Sequence, residues 1–190
     1  MKYLVAGRPA IDVARINPED IVAAGGIIVF EGPWTLGAPV IARLADDAID
    51  DIRTKTGGVG GYAVKALADP GAGEAFAIGA HRVHDPKGFR RYAEQVAAVV
   101  QSFGGRFLAR GGKVTPMGDD FVPDRAVIIE FPRAADAVAF YCSDIYAPLL
   151  KIRHATTDPR FVIVARFGAL PAAARTAAEA YLRSRPASSH

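Results

Sequence analysis

Two stretches of this chain carry an arginine and a carboxylate in exchanged positions. Setting the glycine pair Gly25–Gly26 on Gly104–Gly105 lays GGIIVFEG over GGRFLARG, so that Glu31 matches Arg110. The strands that follow, APVIARL and RAVIIEF, set Arg43 against Glu130. Neighbouring strands bring such groups together across the ladder, so the expected pairs are Arg110 with Glu130 and Glu31 with Arg43. Two roles are open to them. Each pair is a structural ion pair, because buried charges demand partners. Alternatively they face a cavity between sheets, where Arg110 binds an anionic or carbonyl group and Glu130 moves a proton.

His81, in HRVHD (81–85), shares a strand face with Ala77 and Gly79, small residues that leave room beside it. It is the candidate for a lone general base or ligand contact. His81 and His84 point to opposite strand faces, and no H-E-x-x-H is present, so no metal site is expected. Asp119, Asp120 and Asp124 lie in a turn-rich loop (112–125) that reads as solvated, or as a cover over one end of a cavity. Cys142 has no evident basic partner and reads as a buried, inert thiol rather than a nucleophile.

Two glycine-rich stretches imitate nucleotide motifs and fail on order. GGRFLARGGKVT (104–115) has Phe107 where a phosphate loop needs its first glycine, and Val114 follows Lys113 where a hydroxyl is required. GVGGYA (58–63) follows a helix and opens a strand, the reverse of a dinucleotide fingerprint. No cofactor is expected.

The elements that must position these residues follow from periodicity. Asp85–Pro86 caps a helix over 86–103, in which Phe89, Tyr92, Val96, Val99, Val100 and Phe103 recur at helical spacing. Strand patterns occupy 76–83, 106–111, 126–131 and 161–167, with a second helical stretch at 133–153. The order strand, helix, strand, strand, helix, strand is the ferredoxin-like arrangement. The first seventy residues repeat it: a strand at 2–7, a helix from the cap Asn17 to Gly25–Gly26, strands around PWTLG, a helix at 45–58 and a strand at 62–68.

The expected fold class is therefore α+β: two tandem ferredoxin-like repeats, 1–70 (diverged) and 71–168, followed by a C-terminal helix and tail over 169–190. In AVIIEF both faces are apolar, and helices can cover only one of them. The other face calls for the second repeat's sheet, packed face to face as an α+β barrel.

At 190 residues, 51% hydrophobic and 23% charged, the chain has an ordinary globular composition. One cysteine excludes an internal disulfide, and no apolar run reaches membrane-spanning length, so a cytoplasmic protein without membrane association is expected. Arginine outnumbers lysine 17 to 6 without a run of like charge, and the strands lack an RNP1-like aromatic pattern, so no nucleic-acid partner is expected. The helix at 171–184 can cap the barrel or dock on a second chain, which points to a homodimer.

Residues 75–167 resemble the family domain of unknown function 1330, through HDPKGFRRY, GGRFLARGG, RAVIIEFP, AVAFYCSDIY and Arg153. GPWTLGAPVIARL in the first half is similar to the YCII-like group. The resemblance implies a place in the dimeric α+β barrel superfamily, which includes small monooxygenases and isomerases. It also marks Ser143, Tyr146 and Arg153 as recurring family positions. Two functions stay open: a small-molecule binder or enzyme of isomerase or cofactor-free monooxygenase type, and a non-catalytic interaction module with packed sheets. A polar cavity holding Arg110, Glu130 and His81 favours the first; an inter-sheet space filled by Ile, Val and Phe favours the second.

Overall fold

The fold is seen in a computed structural model that describes residues 1–7, 18–31, 39–55, 61–111, 113–118 and 121–166. Nine strands form one antiparallel sheet: β1 (Lys2–Gly7), β2 (Ile21–Glu31), β3 (Pro39–Leu44), β4 (Gly61–Lys65), β5 (Ala75–Val83), β6 (Arg106–Arg110), β7 (Val114–Pro116), β8 (Arg125–Phe131) and β9 (Thr157–Arg166). Their spatial order is β6-β8-β5-β9-β2-β3-β1-β4-β7. Among the described residues four helices lie on it: α1 (Asp46–Lys55), α2 (Pro86–Ser102), α3 (Ala134–Cys142) and α4 (Ala147–Thr156). Among the described residues, no helix is long and apolar enough to cross a membrane.

Alternation along the strands explains the layering. In β5 the side chains of Ala75 and Ala77 join the cluster beneath α2, α3 and α4, whereas Phe76, Ile78 and Ala80 join an inner cluster. The inner cluster draws on both halves, with Tyr3, Val5, Ile41 and Tyr62 meeting Leu108, Ile128, Val162 and Val164. α1 covers the outer face of the first half through Ile49, over Leu4, Ala42 and Ala63. The sheet is thus strongly curled around one apolar interior. Its end strands, β6 and β7, are consecutive pieces of one short segment, and Leu67 N–H donates to Leu108 O at 2.8 Å across the seam.

Four features differ from expectation. The two strand groups are not separate sheets, because β2 pairs with β9 from Ala23↔Arg166 to Glu31↔Phe161. No helix ends at Gly25–Gly26; a single 3-10 turn, Pro18–Asp20, leads straight into β2. The glycine pair instead sits where the β2–β9 register shifts, between Ala23 and Ile27, as glycines inside strands often do. The helical stretch 133–153 is two helices, broken where Ser143 Oγ donates to Phe140 O and accepts from Tyr146 N. Finally, loop 112–125 contributes β7 to the edge of β4. The cap Asn17, the PWTLG turn, Gly58, Gly60, Asp119, Asp120 and the C-terminal helix lie outside the described residues.

α2 forms as its sequence dictates: Asp85 accepts from Lys87 N and Gly88 N at 3.1 Å each, Pro86 opens the first turn, and Tyr92, Val96 and Val100 form its buried stripe. That stripe stands over β5, β6 and β8 and roofs the cavity described next.

Candidate functional site

A cavity of about 350 Å³ lies between α2 and the outer face of β5, β6 and β8. Phe89, Val96, Phe107 and Ile129 give it an apolar wall. Arg90, Arg110 and Arg125 also line it, and all three are exposed, which sets them at its mouth. Among the described residues its lining contains no carboxylate. Arg110 lies over the Phe107 ring, 4.7 Å from the centroid, and donates to Ala93 O of α2 at 2.5 Å.

His81 belongs to the buried part of this lining, with 1% of its surface exposed. A Cβ on Gly79 would come within 2.9 Å of its Nε2, so the missing side chain there is what admits the ring. Burial, reinforced by the positive charge of Arg153, lowers its pKa to about 3 and keeps the imidazole neutral. Its Nδ1 is buried and has no hydrogen-bond partner among the described residues.

Behind Tyr92, which also lines the cavity, runs a polar network. Tyr92 and Tyr146 hydroxyls are 3.3 Å apart, and Arg153 Nη1 donates to Tyr146 at 2.9 Å. Arg153 Nη2 and Tyr141 both donate to Glu31 Oε2, and His154 Nε2 meets Glu31 Oε1. Burial alone would raise the Glu31 pKa, but the bonds from His154 and Tyr141 and the charge of Arg153 outweigh it and hold it down to about 2. Arg153 has no exposed surface and also stacks on Phe161, 5.0 Å from its centroid.

The sequence-derived residues therefore divide into two places. His81 and Arg110 line one cavity, and Tyr146, Arg153 and Glu31 form the network behind it. Glu130 and Arg43 are elsewhere, and the predicted pairs are not made. In the β6–β8 register Glu130 faces Arg106 while Arg110 faces Val127, because antiparallel pairing sends opposite ends of a hairpin apart. Glu130 is bound instead by Arg106 Nε at 2.6 Å, Arg166 Nη2 at 3.1 Å, and the backbone N–H groups of Gly71 and Gly73. Arg43 pairs with Asp69. Both serve the connection between the halves, which crosses one end of the curled sheet.

Tyr92 was legible only as a core position, because a tyrosine on an apolar helical stripe carries no signal of what its hydroxyl meets. His154 carries no such signal either, because its partner Glu31 lies 123 positions away, and Cys142, expected to be buried, is exposed. Among the described residues no group of three His, Cys, Asp or Glu could hold a metal ion.

Fold and site define an α+β protein whose curled antiparallel sheet carries, on its outer face, a helix-roofed cavity with a cationic mouth. Residues 74–167, from the start of β5 through β9, match the model of the family described as Domain of unknown function (DUF1330). That segment contains every residue of the cavity and network except Glu31. No curated protein matches this sequence. Among solved structures, the chain is similar to a protein of unknown function from Rhodopseudomonas palustris at 17% identity and TM-score 0.38, covering 64% of this chain and 93% of that one. It is also similar to a "putative monooxygenase" from Lactobacillus acidophilus NCFM at 8% identity and TM-score 0.40, covering 87% of this chain and 92% of that one.

Proposed function

We propose that the protein binds a small organic anion in the cavity under α2, its charge on Arg110 and its apolar body against Phe89, Phe107 and Ile129. The observation that carries this reading is the lining itself: among the described residues, three exposed arginines, an apolar wall and no carboxylate. A volume of about 350 Å³ suits a molecule of modest size. If the bound anion is also turned over, as in isomerase or cofactor-free monooxygenase chemistry, His81 is the proton acceptor. An anion beside it favours its charged form and raises its basicity towards the working range.

The test uses 4-phenylbutanoate, an apolar body with one carboxylate, in isothermal titration calorimetry. Arg110→Ala should weaken its binding roughly tenfold or more, the worth of a hydrogen bond to a charged group. Equal affinity for wild type and Arg110→Ala sinks the reading.

The packed interior favours a second reading, a non-catalytic interaction module, since the space enclosed by the strands is filled by Ile, Val, Phe and Tyr side chains. A tandem duplication gains support from strand order. Within each half the order, numbered along the chain, is 2-3-1-4: β2-β3-β1-β4 and β6-β8-β5-β9.

A further inference from the structure

We propose that Tyr92 is the neutral hydrogen-bond donor of the cavity, aimed there by Tyr146 and Arg153, so that the preferred ligand is an anion bearing a second oxygen acceptor, such as a keto acid. This rests on the anion-binding reading above and deepens it. The argument is one of donors and acceptors. Tyr146 is fully buried, and among the described residues its hydroxyl has two hydrogen-bond neighbours, Arg153 Nη1 and the Tyr92 hydroxyl. A guanidinium only donates, so the Tyr146 oxygen accepts from Arg153. Its own proton has one acceptor within reach, the oxygen of Tyr92, and a buried hydroxyl left without an acceptor is costly. The direction of the 3.3 Å bond is thereby set: Tyr146 donates, Tyr92 accepts. The remaining proton of Tyr92 is then free for an acceptor in the cavity its side chain lines.

Arg153 and Tyr146 are positioning residues in this scheme. Glu31, itself held by Tyr141, fixes the guanidinium, the guanidinium fixes the polarity of Tyr146, and Tyr146 fixes Tyr92. Arg110 at the mouth and Tyr92 under α2 then read two different groups of one ligand, which would distinguish a keto acid from a fatty or arylalkanoic acid of equal length.

The experiment compares 4-phenylbutanoate with 4-oxo-4-phenylbutanoate and 5-oxo-5-phenylpentanoate on the full chain by calorimetry. One of the keto acids should bind wild type roughly five- to tenfold more tightly than 4-phenylbutanoate, the worth of one neutral hydrogen bond. Tyr92→Phe, which keeps the ring, should abolish that preference, so that within this variant the keto acid binds no more tightly than 4-phenylbutanoate. Tyr146→Phe should reduce the preference without removing it, a change in selectivity that a purely structural role would not produce. Arg110→Ala should weaken all three acids alike. A wild type that binds the parent acid but shows no keto preference overturns the role of Tyr92 and leaves the anion site standing. A preference that survives in Tyr92→Phe does the same. Failure of all three acids to bind wild type overturns the anion site, and this inference with it.

Discussion

Glu31 and Glu130 are both largely buried strand carboxylates held by arginine, and they do different work. Glu130 spends its acceptor capacity on Arg106, Arg166 and two backbone N–H groups of the connection between the halves. Those arginines remain 46% and 31% exposed, and neither they nor Glu130 line the cavity. Glu31 instead holds an arginine with no exposure at all, and that arginine touches a tyrosine chain that ends at the cavity. Burial and pairing therefore do not by themselves mark a functional carboxylate. What separates the two is whether their partners lead to open space.

The largest effect should come from removing each carboxylate's arginine. Arg153→Ala leaves Glu31 buried without its main countercharge, a loss of the kind that costs about 3–5 kcal/mol. Arg106→Ala leaves Glu130 with Arg166 and two amides and removes a half-exposed group, so about 1 kcal/mol or less is expected. Chemical denaturation of both variants checks the order. Similar losses would mean that the two clusters are equivalent after all.

Glycines sharpen the contrast at intermediate size. An added Cβ at Gly73 would sit 2.4 Å from Glu130 Cγ and 2.5 Å from Phe131 O, the latter a backbone atom that cannot turn aside. Gly73→Ala should therefore destabilise the fold by about 1–3 kcal/mol, as overpacking does. At Gly79 the contacts are side-chain atoms, His81 Nε2 and Val127 Cγ2, both at 2.9 Å. Gly79→Ala should cost less stability and shift the His81 ring, visible in its imidazole NMR resonances and in weaker 4-phenylbutanoate binding. A Gly79→Ala protein that binds the acid normally with an unmoved His81 would separate that histidine from the cavity.

How much of this the sequence disclosed follows from the range of each signal. α2 was readable to a residue or two because its cap, proline and stripe are local, and the two apolar faces of AVIIEF in β8 showed that both faces needed cover. His81 and Arg110 were found by face-sharing and by the repeat, and both line the cavity. The predicted pairs failed because strand neighbours were known but register was not, and a few residues along β6 decide between Arg106 and Arg110. The cavity was expected between sheets and lies outside them: the inner apolar residues of the two halves fill the interior, whereas the small residues Ala77 and Gly79 leave room beneath α2. The Glu31–Arg153 pair spans 122 positions and depends on β2 meeting β9, a contact without a local signature.

The effect smallest per pH unit is a response to acid that His81 and Glu31 share. His81 has its pKa lowered from 6.5 to about 3, so the unfolded chain takes up a proton that the folded one refuses. Stability from this group is complete above pH 6.5 and declines as pH falls towards 3, by at most about 1.4 kcal/mol per pH unit. Glu31, lowered from 4.5 to about 2, likewise favours the fold above pH 4.5 and loses that contribution as pH falls towards 2. The acid response should therefore begin with His81 and steepen below pH 4.5 as Glu31 joins. Glu31→Gln should flatten the lower part of the curve and leave the upper part, and His81→Phe should do the reverse. Denaturation midpoints measured from pH 7 to 3 test this assignment. A His81→Phe protein that still loses stability between pH 6.5 and 4.5 with the wild-type slope would mean that another group, outside the cavity, is the one resisting protonation.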